Sequence, residues 1–220
     1  MEQPGGATLA RKVDDKSVKS ADQDTEGVPV VALPEGEVSW ARRFRSTWIV
    51  SSLEGLRATG HFDAYQAHLG PHGEEILNCV AGTWLPIAAA CDHYQACERL
   101  GLSDAKYAEL AKVGSKVRSQ WNARVIAELK ADGATPWTAM TQLERTWRRA
   151  ADGGAFGAFK LQQTKVRVVY VGCELFDIPY FRRAVRLMVY FMCRYKGRDA
   201  NVQQQPSRAS GSVSYLVDWK

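Results

Sequence analysis

The spacing of apolar positions along this chain changes character twice. Up to residue 36 apolar residues are sparse among Asp, Ser, Lys and Gly, apart from a short patch, Val28–Leu33, set off by Pro29 and Pro34. Such a stretch buries too little apolar surface to order itself. Residues 1–38 therefore read as a disordered acidic tail whose patch could dock or pair.

From Ser39 a period of three to four takes over. Trp40, Phe44 and Trp48 fall at i, i+4 and i+8, which predicts a helix capped by Ser39, running to Thr59 and stopped by Gly60. Short helices are expected around 62–69 and 74–80. Residues 83–100 carry Trp84, Leu85, Ile87 and an Ala88–Ala90 run and read as the most apolar helix, ended by Gly101. Ser103 starts a long helix to about residue 131, with Tyr107, Leu110, Val113, Val117, Trp121 and Val125 on one stripe and a bend expected at Gly114. Thr135-Pro136 is an N-cap followed by proline at the first helical position and opens a helix to Gly153.

After residue 160 the period becomes two. Lys165–Leu175 alternates, with Val166, Val168 and Tyr170 on one face, and reads as a strand. A helix follows over 179–195, lined by Phe181, Val185, Met188 and Met192. Residues 198–205 and 212–220 read as strands joined by a hairpin loop at Pro206–Gly211; in the last, Val213, Tyr215, Val217 and Trp219 share a face. The expected fold class is α+β: an N-terminal helical bundle packed on a small antiparallel sheet, with a strand–helix–strand–strand C-terminal unit, in a single domain over 39–220.

Composition narrows this only a little. The chain has 220 residues, 45% hydrophobic and 24% charged, which excludes a wholly disordered chain, a collagen and a coiled coil. The net charge of +5 is uneven: residues 1–38 hold 4 basic and 8 acidic residues, so the remainder is +9. After residue 140 there are 14 basic and 6 acidic residues. Such a surface suits an anionic ligand, an acidic protein or nucleic acid. The five cysteines are odd in number and irregularly spaced, the chain opens with no secretory pattern, and no apolar run is long enough to cross a membrane. Free thiols in a reducing cytoplasm are expected.

Reaction chemistry is not spelled out. No GxSxG, HExxH, GxxxxGK[ST] or GxGxxG motif occurs, so no catalytic residue is nominated. The spaced glycines of Gly153–Gly157 follow a helix, the wrong order for a phosphate cradle, and read as a flexible connection. His68 and His72 are separated by Gly70-Pro71, which prevents one helix from presenting both to a metal. Cys91, His93 and Cys97 form a Cys/His group; His93 is the best axial candidate for a haem, against the alternative of a satisfied core histidine. No metal site is expected. Arg182, Arg183 and Arg186, followed by Arg194, Lys196 and Arg198, make the 179–195 helix basic, and Arg182 and Arg186 share a face. Seven tryptophans suit a core or an aromatic-lined pocket.

The Lys165–Leu175 strand, the 179–195 helix and a hairpin closing on SYLVDW resemble the end of the vinyl-reductase-like domain, whose small-molecule-sensing fold is related to the haem–nitric-oxide-binding and TRAPP (vesicle-tethering) folds. The helices before it, with YQACERLGLS at 94–103, are similar to a myxobacterial paralogous family of this length. The resemblance implies a sensory fold over 39–220. The glycine- and cysteine-rich closing motif of the vinyl-reductase-like domain and the Tyr-Ser-Arg haem-propionate signature are both missing, so neither a metal nor haem is implied and no cofactor is expected.

The expected function is a non-enzymatic sensory or regulatory module, dimeric, binding a small hydrophobic or anionic ligand between helices and sheet. Trp84, Trp121, Tyr170, Phe181 and Met188 are the expected pocket lining, with Arg182 and Arg186 meeting an anionic group. The alternatives are a ligand-free scaffold whose basic face binds an acidic partner and, ranked last for want of a basic recognition helix, a nucleic-acid-binding regulator.

Overall fold

The computed structural model describes residues 27–117, 119–194, 199–207 and 209–219, without the side chains of 115–122. Two antiparallel sheets and a set of helices share one continuous apolar core. The larger sheet has the strand order β1-β5-β6-β8-β7, built from β1 (Val28–Val31), β5 (Ala155–Gln162), β6 (Lys165–Val171), β7 (Ala200–Gln205) and β8 (Val213–Trp219). The smaller sheet, ordered β3-β2-β4, pairs β2 (Arg43–Arg45) with β3 (Trp84–Pro86) and β4 (Ala151–Asp152). The helices are α1 (Ser46–Ala58), α2 (Phe62–Gln66), α3 (Gly73–Leu77), α4 (Ile87–Arg99), α5 (Asp104–Val117), α6 (Ser119–Lys130), α7 (Pro136–Ala150) and α8 (Pro179–Cys193). The α+β class and the strand–helix–strand–strand ending (β6, α8, β7, β8) are as the sequence predicts. In β8 the alternation holds residue by residue, with Val213, Tyr215, Val217 and Trp219 buried.

Several boundaries differ, each for a backbone reason. Ser39 caps no helix: its carbonyl accepts from Gly154 N–H (2.7 Å), and Ala41 N–H donates to Gly172 (2.8 Å), so 39–41 runs as a strap along the glycine turns beyond β4 and β6. Trp40, Phe44 and Trp48 are thus not one helical stripe, since Phe44 sits in β2. Gly153 (φ 116°) shows why glycine is needed, because a Cβ there would meet Trp40 O at 2.5 Å. Residues 84–86 form a strand rather than the first turn of a helix; Pro86, with ψ 145°, holds an extended conformation at the start of α4. The expected flexible connection at 153–157 is in part a strand, β5, buried on both faces from Ala155 to Phe159.

The N-terminal boundary also moves. β1 pairs with β5, and Leu33 and Val38 pack on the sheet face carrying Phe159, Val169 and Val171. Residues 27–38 therefore belong to the fold; the rest of the expected tail, 1–26, lies outside the described residues. The Thr135-Pro136 start is observed, with Thr135 N–H donating to Thr138 Oγ1 (3.0 Å). Gly114 allows α1 and α5 to touch: a Cβ there would lie 2.5 Å from Ser51 O, and Ser51 Oγ donates to Gly114 O. Gly55 faces Leu110 in the same crossing. Small residues at such a contact let helix backbones approach closely.

On its other face the large sheet meets the helices through a continuous run of rings. Phe156, Tyr170 and Tyr215 from the sheet adjoin Trp147 and Phe176. Phe176 lies 5.2 Å from Phe181, which in turn meets Tyr94 (4.8 Å) and Phe44 (5.7 Å). These mostly edge-on and tilted contacts are the preferred aromatic geometries. They fill the space between sheet and helices.

Candidate functional site

The site candidates divide between this interior and one cleft at the sheet edge. In the interior, α4 carries His93 at 0% exposure. Tyr65 OH lies 2.7 Å from its Nδ1 and Cys97 Sγ 3.8 Å from its Nε2. Burial lowers its pKa to about 3, so it is neutral. The rings of Tyr65 and Tyr94 pack against it at 5.3 and 4.8 Å. Both nitrogens face protein atoms, and His93 is a satisfied core histidine. Burial also pushes up the thiols of Cys91, Cys97 and Cys193, each to about 12, and raises those of Cys79 and Cys173. All five are free cysteines held as thiols, poor nucleophiles and poor metal ligands. Among the described residues no group of three His, Cys, Asp or Glu side chains could hold a metal. His72 instead pairs its Nδ1 with Asp92 (2.8 Å).

The cleft lies where the start of α5, the exposed side of α8 and the edge strand β7 meet, and has a volume of about 290 Å³. Its charged and polar lining is Asp104, Arg183, Arg186 and Asn201; Tyr107, Leu187, Tyr190 and Val202 supply apolar walls. The positions 183, 186, 187 and 190 share one helix face because they repeat every three to four residues. Arg183 donates to Leu102 O (2.9 Å), approaches Asp104 Oδ1 at 3.6 Å and lies 5.4 Å from the Tyr107 ring centre. Arg186 is exposed and has no hydrogen-bond or carboxylate partner among the described residues. At the rim, Arg194 donates to Tyr190 OH (2.9 Å).

The residues nominated from sequence are scattered. Arg186 lines the cleft. Arg182 does not: its guanidinium donates to Phe176 O (3.1 Å) and its own carbonyl accepts from Tyr215 OH (2.7 Å), so it ties α8 to the turn before it and to β8. Tyr170 and Phe181 are both fully buried against Phe176, and Met188 packs at the edge of the same core. Trp84 stands apart on β3, flanked by Arg45 (3.9 Å) and Arg43 (5.6 Å). Trp121 is in α6, with its side chain outside the described residues. Sequence reasoning missed Arg183 as a lining residue, although its i, i+3 spacing to Arg186 is as good a signal as the i, i+4 pair of Arg182 and Arg186. Nothing local pointed to Asn201 and Val202, which β7 brings to the cleft.

With this geometry in place, the fold can be compared with known ones. Helices packed on an antiparallel sheet in this order make an H-NOX-like fold. An oxygen-binding H-NOX domain related to soluble guanylate cyclases superposes with a TM-score of 0.54 at 13% identity, over 80% of this chain and 95% of that one. The Fe(II) unliganded H-NOX protein from K. algicida gives 0.55 at 10% identity, over 80% and 96%. A mutant H-NOX of T. Tengcongensis gives 0.52 at 12%, over 80% and 97%. Identities this low establish the fold alone. They support the haem–nitric-oxide-binding side of the resemblance and do not bear on the vinyl-reductase-like, vesicle-tethering or myxobacterial sides. No family model and no curated protein matches the chain.

Haem, implied by that fold, does not fit the residues present. The best axial candidate, His93, has both ring nitrogens engaged and the Tyr65 and Tyr94 rings packed against it. The cleft offers no His, Cys or Met to an iron, and its volume is at the lower limit of small-ligand clefts, roughly 300–1,000 Å³. No described helix is long and apolar enough to cross a membrane.

Proposed function

We propose that this chain is a non-enzymatic sensory or regulatory module that binds a small hydrophobic or anionic ligand, uses no haem, and works as a homodimer in the cytoplasm. The observation that carries this reading is the cleft between α5, α8 and β7, where helices and sheet edge leave about 290 Å³ beside Arg186, which has no hydrogen-bond or carboxylate partner among the described residues. The H-NOX-like fold supports a sensory role by analogy only. The burial of Cys97, Cys173, Cys193 and the neutral His93, and the raised thiols of the half-buried Cys79 and Cys91, argue against nucleophilic or acid–base chemistry.

The test is thermal unfolding of the purified chain against a library of lipophilic and anionic compounds. A ligand at a hundred times its Kd stabilises by about 2.7 kcal/mol, which for a domain this size raises Tm by several degrees. A library that moves Tm nowhere overturns the reading. A second reading, a scaffold for an acidic protein, has one specific observation in its favour: the rings of Phe44, Tyr94, Tyr170, Phe176 and Phe181 pack against one another between sheet and helices.

A further inference from the structure

We infer that the cleft between α5, α8 and β7 selects a small monocarboxylate with a flat or aliphatic body. This rests on the proposed ligand-binding function and specifies its ligand. Size comes from the volume: about 290 Å³ is at the lower limit of small-ligand clefts, so the ligand is small. Charge comes from the lining, where the guanidiniums of Arg183 and Arg186 stand against one carboxylate, Asp104. With Arg194 at the rim on Tyr190, the cleft is net positive and suits an anionic head group.

The lining also fixes how the ligand lies. Among the described residues Arg186 has no hydrogen-bond or carboxylate partner to surrender, so an incoming carboxylate takes its planar donor fork directly. Tyr107, Leu187, Tyr190 and Val202 form the walls and receive the apolar body. Asn201 adds an amide donor on the β7 side. Asp104 is a weak internal stand-in for the ligand: it reaches Arg183 only at 3.6 Å and its side chain is 82% exposed. An exposed ion pair of that length contributes little, and a bound carboxylate displaces it. Asp104 begins α5, which crosses α1 at Gly114, so exchanging Asp104 for a ligand changes how the start of α5 is held against α8.

The experiment titrates the full chain with octanoate and phenylacetate, using octanol and octylamine as neutral and cationic controls and inorganic phosphate as the dianion. Calorimetry gives affinity; amide NMR gives location. The two carboxylates bind more tightly than all three controls, and amide shifts centre on Ala108, Leu187 and Asn201. Arg186→Gln weakens octanoate about tenfold or more, the usual size of a charge-assisted hydrogen bond. Asp104→Asn tightens it, because a competing carboxylate is gone. Both substitutions are on exposed side chains, and circular dichroism checks that the variants stay folded. Octanol binding in the cleft as well as octanoate, with Arg186→Gln neutral, overturns the monocarboxylate assignment and leaves the ligand-binding function standing. Shifts centred elsewhere overturn the site. No binding by any probe, with a silent library as well, removes both.

Discussion

The ring-filled interior and the cleft beside β7 lie on opposite sides of α8, and they use the same residue types in opposite ways. Inside, Phe181 and Tyr94 meet at 4.8 Å and Phe176 closes on Phe181 at 5.2 Å; ionisable groups such as His93 are kept neutral by burial. In the cleft, Tyr107 and Tyr190 form walls of an open space, and Arg186 is exposed with no hydrogen-bond or carboxylate partner among the described residues. An H-NOX-like fold can thus be kept while its middle is occupied by its own side chains. The seam between helix and sheet edge, by contrast, is open to a ligand.

The largest effect that bears on this contrast is in the interior. Phe181→Ala empties a fully buried ring site and should cost about 3–5 kcal/mol, read from urea unfolding; a loss near zero would mean the rings are not packed as described. Next is pH. His93 has a pKa of about 3 when folded and about 6.5 when unfolded. Between those values the unfolded chain holds the extra proton. Its contribution is therefore complete above pH 6.5 and falls by about 1.4 kcal/mol per unit as pH drops toward 3. Unfolding curves at pH 7, 6 and 5 should show this slope, and His93→Gln should flatten it. Gly114→Ala pushes a Cβ onto the Ser51 carbonyl and should cost about 1–3 kcal/mol, measured the same way. The smallest effect belongs to the cleft: Arg186→Gln should change stability by no more than about 0.5 kcal/mol, although it weakens carboxylate binding. A large stability loss there would show Arg186 to be structural, as Arg182 is.

The strands legible in the sequence were those with one face in the core. β8 alternates cleanly because Ser214, Leu216 and Asp218 lie on its less buried face. β5 was missed because Ala155–Phe159 is buried on both faces, so no alternation could arise, and its glycine suggested a loop. β2 and β3 were missed because three-residue strands show no period, and Phe44 happens to sit four residues from both Trp40 and Trp48. Pro86 was the overlooked signal of an extended start to α4. In the candidate site, Arg186 was legible from the basic face of α8. Tyr170 and Phe181 suggest pocket lining because a large ring on an apolar face looks the same whether it borders a cavity or fills one. The β7 wall depends on a crossover after α8 that no local spacing encodes.

The separation of a closed interior from an open cleft is tested most directly by titrating the purified chain with hemin and following the absorption spectrum. Only the spectrum of free or loosely adsorbed hemin is expected, with no saturating one-to-one species and no change in His93→Ala. A stoichiometric complex with a shifted, sharpened Soret band that disappears in His93→Ala would contradict a closed interior.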